Sequence, residues 1–206
     1  MTPPLEDVKH KGGLYMGFWS NIFRIQPQPQ KATPPQIELP PIDFTVIDLE
    51  TSGLDPSKHD ILEIGALKYR NNTEVDRFHS YVLPKKPIPS RATQINGIDL
   101  FTVLGSPSFS QLQDKFLNFI GSDTIVGYNV RFDIQFVQWH CQRILENPRY
   151  DVLNFVRKVS PNEQNYKLEN LRFRYNLSGT AHSALGDCEA TVQLMQLFAE
   201  QIRKKS

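Results

Sequence analysis

Phe44-Thr45-Val46-Ile47-Asp48-Leu49-Glu50-Thr51-Ser52-Gly53 is the stretch on which the reading of this chain turns. Thr45, Val46, Ile47 and Leu49 favour a strand. Side chains two apart on a strand project from the same face, so Asp48 and Glu50 stand side by side. Like charges held that close repel unless a cation or a shared proton neutralises them. Gly53 and Asp55-Pro56 end the strand, which places the pair at a strand end facing a loop, where α/β proteins gather ligands. Alone, such a pair also fits a solvated strand face. Two further acidic segments downstream weigh against that reading.

The first is Ile125-Val-Gly-Tyr-Asn-Val-Arg-Phe-Asp133. An apolar strand ends at Gly127-Tyr128-Asn129, and Asp133 falls in the first turn of the helix that follows. Helix capping by a first-turn acid would be an alternative role for it. The second is Thr180-Ala-His182-Ser-Ala-Leu-Gly-Asp187-Cys-Glu-Ala-Thr191. His182 precedes a helix and Asp187 lies in its first turns, among Ala184, Gly186 and Ala190, which permit close backbone approach. Ser183 is the candidate cap. Together the segments offer Asp48, Glu50, Asp133 and Asp187, an all-oxygen set suited to Mg²⁺ or Mn²⁺ rather than zinc. Two divalent ions would balance four negative charges and serve phosphodiester hydrolysis, with a histidine to take a proton from water. The alternative of another class is a non-catalytic, nucleic-acid-binding module whose acids anchor a structural cation. It predicts metal-dependent melting without hydrolysis.

The 206 residues, 39% hydrophobic and 22% charged, fit one substantial core. Cys141 and Cys188 lack metal-ligand spacing and read as packed thiols in a reducing, cytoplasmic setting. No apolar run reaches membrane-spanning length, and the N-terminus lacks an export pattern. The net charge of +1 does not by itself point to nucleic acid. A nearly neutral domain can hold phosphates through bound metal ions and a few neighbouring Lys or Arg residues.

Residues 1–36 differ from the rest: Pro- and Gln-rich, they predict a flexible extension, with Met16 as an alternative start. Phe18, Trp19, Ile22 and Phe23 within it form an apolar cluster that either anchors to a partner or a lipid surface, or packs back on the domain or forms an irregular start to the chain. From 37 to 206 the pattern is that of one α/β domain. Strands are expected at 43–50, 61–69 and 75–82, the last two joined by the Asn71-Asn72 turn, and at 124–128. Helices are expected at 109–120, 131–145, 151–158, 167–175 and 183–204. A three-strand meander followed by alternating helices and strands implies a mixed central sheet with helices on both faces. Gln193 to Phe198 resembles short clamp-docking peptides, but in a helix Leu194, Met195 and Phe198 read as core.

On Asp48-Leu-Glu50-Thr51-Ser52-Gly53, Asn129-x-x-Phe132-Asp133 and His182-x-x-x-x-Asp187, the chain resembles the DEDDh (DnaQ-like) 3′–5′ exonucleases, the group of the proofreading epsilon subunit of bacterial DNA polymerase III. The resemblance covers residues 42 to 203 and implies an RNase H-like fold. It implies that Asp48, Glu50 and Asp187 hold one metal ion, that Asp48 and Asp133 serve a second, and that His182 is the general base. Thr51, Gly53, Leu54, Ile95, Tyr128 and Asn129 match positions at the terminal nucleotide, and Asp151 has a supporting place. The family often has histidine where this chain has Tyr128. The implied substrate is a DNA 3′ end, single-stranded or frayed, with RNA as the alternative. The protein is expected to be monomeric, with a polymerase or sliding clamp as a partner reached through the N-terminal extension, or else a freestanding repair or trimming nuclease.

Overall fold

The computed structural model describes residues 37–204. The N-terminal extension, with its Phe18–Phe23 cluster and Met16, lies outside the described residues. Five strands form one sheet in the order β3-β2-β1-β4-β5. They are β1 (Phe44–Thr51), β2 (Ile61–Arg70), β3 (Thr73–Tyr81), β4 (Ile125–Gly127) and β5 (Arg149–Asp151). The first strand is central, antiparallel to β2 and parallel to β4, which is the mixed sheet of an RNase H-like fold. The helices are α1 (Ser90–Asn96), α2 (Leu100–Val103), α3 (Phe109–Ile120), α4 (Arg131–Cys141), α5 (Val152–Val159), α6 (Leu168–Tyr175) and α7 (Ala184–Arg203).

The alternation of β1 divides its side chains between two cores. Ile47 and Leu49 join Ile64 and Ala66 under α3 and α4, against Phe116, Ile120, Ile134 and Phe136. Phe44 and Val46 join Leu67 on the opposite face, under Val152, Phe155, Leu171, Val192, Met195 and Phe198 of α5, α6 and α7. Each such fully buried side chain contributes about 1.5–3 kcal/mol. Leu194, Met195 and Phe198 are buried here, so the clamp-peptide likeness is core packing. Asp48 and Glu50 continue the row of Phe44 and Val46. They therefore emerge on the α7 face where the apolar cover ends.

Two features bring α7 to that row. Gly65 pairs with Asp48 across the sheet, and a Cβ at Gly65 would lie 2.4 Å from the Ala184 carbonyl carbon and 2.6 Å from the Leu185 nitrogen. Only a glycine allows the helix start to rest on the strand. Gly65→Ala should accordingly cost about 1–3 kcal/mol, the usual range for overpacking, because backbone rather than a flexible side chain must move. A urea midpoint equal to that of the unsubstituted chain would contradict this contact.

The sequence reading differs from the structure in several places, and it has no helix where α1 and α2 stand. The helix expected over 131–145 ends at Cys141, because Gln142 adopts the left-handed region at φ 52° and returns its N–H to Gln138 and Trp139. Strand β5 was not expected; its three residues carry no alternating pattern. Ser183 occupies the N-cap of α7 but makes no side-chain capping bond.

Candidate active site

The end of β1 has an open edge. β4 pairs with β1 only at Thr45 and Val46, and ends at Gly127. The backbone N–H of Leu49 would lack a partner, and Asp133, in the first turn of α4, accepts it at 3.1 Å. Asp133 therefore spans from helix to strand. It is 3% exposed. From the other side, α7 contributes Asp187, and the loop before it contributes His182. A carboxylate oxygen of Glu50, one of Asp187 and a ring nitrogen of His182 lie within 4.8 Å of one another.

The electrostatics of this group are those of a site awaiting positive charge. Burial pushes the Asp48 carboxyl well above its ordinary range, and the fields of Asp133, Asp187 and Glu50 raise it further. Burial likewise raises Asp133 well above the usual carboxylate range, against the bonds it accepts from its own backbone and from Leu49. Glu50 is pushed up to about 7, by burial first and then by Asp187. Burial also raises Asp187, opposed first by the Arg172 guanidinium beside it. Buried carboxylates in mutual repulsion are costly unless a cation is bound among them. The donors are oxygens with one imidazole, which fits a divalent ion such as Mg²⁺ or Mn²⁺.

His182 is exposed, and its backbone adopts φ 57°, a left-handed conformation in which histidine is among the tolerated residues. With Asp187, Gln94, Ile95, Lys167 and Leu168, it lines a cleft of about 510 Å³. Ile95 is 57% exposed and Leu54 84% exposed. Only Ile95 of the two lines this cleft. The Thr51 hydroxyl donates to Gly53 O at 2.7 Å. The space beside Gly53 is taken by the His59 ring, 2.3 Å from where a Cβ would sit. Tyr128 and Asn129 line a neighbouring cleft with Arg157, Tyr166 and Lys167, and the Tyr128 hydroxyl donates to Tyr166 O. Asp151 caps α5 by accepting from Leu153 N at 3.0 Å, and it also accepts from Asn129 N at 3.2 Å. It thereby fixes the left-handed turn at Asn129 that precedes α4.

Several residues the sequence reading did not use complete the frame. Glu63 stands opposite Glu50 in the sheet. It is 2% exposed, accepts the first N–H of α7 from Ala184 at 3.2 Å, and meets His79 Nε2 at 2.7 Å. This carboxylate does the capping expected of Ser183. Asn96, at the end of α1, donates to Thr51 O at 3.4 Å, and its side chain opposes the rise of the Glu50 carboxyl. Ser52 and Asp60 close the loop after β1 with two bonds of 2.9 Å. Arg172 of α6 bonds Asp187 directly. Cys141 and Cys188 are free thiols, half-buried and buried. No helix among the described residues is long and apolar enough to cross a membrane.

Comparison with known proteins bears on the whole of this arrangement. The PolC-type DNA polymerase III of Caldanaerobacter subterraneus subsp. tengcongensis is 32% identical over 166 residues, 79% of this chain and 12% of that polymerase. The DNA polymerase III epsilon subunit of Aquifex aeolicus is 28% identical over 165 residues, 77% of this chain and 81% of the subunit. The chain thus spans a small part of the PolC-type proteins and corresponds in length to most of the epsilon subunit. Among solved structures, Exonuclease X in complex with 5′-overhanging duplex DNA matches with a TM-score of 0.64 at 23% identity. The match covers 77% of this chain and 92% of that one, and the likeness is one of fold. The family model described as an exonuclease, RNase_T, matches residues 45–195, from β1 with its paired acids into α7 with Asp187. By that match the chain belongs to the RNase_T exonuclease family.

Proposed function

We propose that the chain is a 3′–5′ exonuclease that hydrolyses the terminal phosphodiester of a single-stranded or frayed DNA 3′ end, releasing nucleoside 5′-monophosphates. The observation that carries this is the convergence of Glu50, Asp187 and His182 within 4.8 Å, with Asp48 in the fields of Glu50, Asp187 and Asp133, in a chain of an exonuclease family. Asp48, Glu50 and Asp187 are the residues to hold one divalent ion, and Asp48 with Asp133 a second. When bound, such ions would neutralise the carboxylates, polarise the phosphodiester and make water a stronger nucleophile.

The side chains supply the rest. His182, exposed on the cleft wall, accepts the proton of the attacking water. The new bond forms from the water oxygen to phosphorus, and the bond from phosphorus to the 3′ oxygen of the preceding nucleotide breaks. That oxygen takes up a proton and becomes the new 3′ hydroxyl. Ile95 and Leu54, apolar and exposed, offer surfaces for packing the terminal nucleotide. DNA is favoured over RNA because the two polymerase relatives are DNA polymerase components. Their names also support a DNA polymerase as partner of this domain.

The test uses matched DNA and RNA oligomers, each labelled at one end, with Mg²⁺ or Mn²⁺. Stepwise shortening from the 3′ end, release of 5′-monophosphates and faster turnover of DNA are expected. Tenfold preference for RNA would reassign the substrate, and activity surviving EDTA would remove the metal from the reading.

A further inference from the structure

Arg172 reaches from α6 to two separate pieces of the site, the start of α7 and the loop before it. One terminal nitrogen donates to Asp187 Oδ1 and, at 3.0 Å, to Gly186 O. The other donates to Ser178 O at 3.4 Å and to Gly179 O. The side chain is buried, and its Nε has no acceptor. The loop it holds lies directly on α7. A Cβ at Gly186 would fall 2.1 Å from Thr180 O, and one at Gly179 would fall 2.5 Å from Gly186 O. His182 follows three residues after Gly179. The guanidinium thus joins the loop that presents His182 to the helix that presents Asp187.

An arginine serving stability alone would be a poor fit here. A buried ion pair with an unfilled donor is often replaced by an apolar side chain without loss of stability. Its fork does hold Asp187 in one orientation while fixing the loop. We propose that Arg172 is a positioning residue that orients the Asp187 carboxylate and the His182 loop together, and so sets the affinity of the acidic site for a divalent cation. This rests on the reading of Glu50, Asp187 and their neighbours as cation ligands. Two effects of Arg172 oppose each other. Its positive charge disfavours a nearby cation, while its hydrogen bond organises a ligand. Loss of such an outer partner typically costs about 10–100-fold in metal affinity. The charge is already paired with Asp187, so orientation should dominate.

The experiment uses the full chain, with Arg172→Met, Arg172→Lys and Arg174→Met. Arg174 lies on the same helix and pairs with Glu163 at 3.3 Å, away from Asp187. Mn²⁺ binding is followed by loss of the free-ion electron paramagnetic resonance signal, with melting measured in EDTA. Arg172→Met should bind Mn²⁺ about 10-fold or more weakly, Arg172→Lys should recover part of that loss, and Arg174→Met should match the unsubstituted chain. Unchanged or tighter Mn²⁺ binding by folded Arg172→Met overturns the proposal. If Arg172→Met does not fold, Arg172→Lys decides, since it keeps the charge but not the fork, and unchanged affinity there overturns the proposal equally. Mn²⁺ binding without nucleotide release would refute the exonuclease reading alone. Absence of Mn²⁺ binding by the unsubstituted chain would refute both.

Discussion

Asp48→Asn should lose essentially all hydrolysis, more than about 10⁴-fold, while making the metal-free protein more stable. The first effect follows from removing the residue assigned to both ions. Several kcal/mol of transition-state charge stabilisation depend on such a site, and each 1.36 kcal/mol is a factor of ten. The second follows from the electrostatics. Asp48 lies in the fields of Asp133, Asp187, Glu50 and Glu63, all of which oppose its ionisation. An amide of the same shape carries no charge to repel. A simple structural role for Asp48 predicts the reverse, with stability falling alongside activity. Turnover and the urea midpoint in EDTA, measured on the same preparation, separate the two. Activity within tenfold of the unsubstituted chain would remove Asp48 from the catalytic set.

The same repulsion fixes the sign of the pH dependence. Raised carboxyl pKa values mean that the folded state binds more protons than the unfolded chain. These site groups should therefore contribute most stability to the metal-free protein at acid pH, and that contribution should be lost as pH rises. Glu50 alone places the window between its ordinary value of 4.5 and about 7. Asp48, Asp133 and Asp187 are displaced in the same direction. Divalent ions, by binding the ionised form, should oppose the loss on the alkaline side. In Asp48→Asn the slope across this window should be shallower, because one of the coupled groups is gone.

The acids were legible in the sequence because each is fixed by local geometry. The period of two places Asp48 beside Glu50, the strand-to-helix turn after β4 places Asp133 in the first turn of α4, and Asp187 falls in the first turn of α7. Glu63 is different. In Ile61-Leu-Glu-Ile-Gly it reads as one polar interruption of an apolar strand, and its partners are 16 and 121 residues away. Only the register of β1 with β2 shows that it faces Glu50 and that Gly65 faces Asp48. Arg172 reads as one more cation on a charged helix, Leu168–Tyr175, until the packing of α6 on α7 turns it inward. The end of α4 was missed because a glutamine, with no glycine to mark it, takes the left-handed cap. A charge inside an apolar strand, or at the inner position of a helix, is the signal that pairing converts into meaning.

Replacing His182 should cost less than replacing Asp48, and the choice of replacement matters. The residue sits at φ 57°, where alanine adds backbone strain to the loss of the imidazole. Asparagine tolerates that region and offers no comparable base. His182→Asn should therefore lower kcat by about 10²–10⁴-fold, the usual size of a general-base contribution. KM for a DNA oligomer and the urea midpoint should stay close to those of the unsubstituted chain, since the side chain is exposed and the left-handed turn is preserved. Residual turnover is expected because the carboxylates remain to bind and orient the phosphodiester. His182→Ala should show the same catalytic loss with a lower midpoint. The comparison isolates the proton transfer from the turn that carries it. A drop in kcat of less than fivefold in His182→Asn would exclude the histidine as the base. Loss as complete as in Asp48→Asn would instead make it a cation ligand, as its approach to Glu50 and Asp187 within 4.8 Å would then permit.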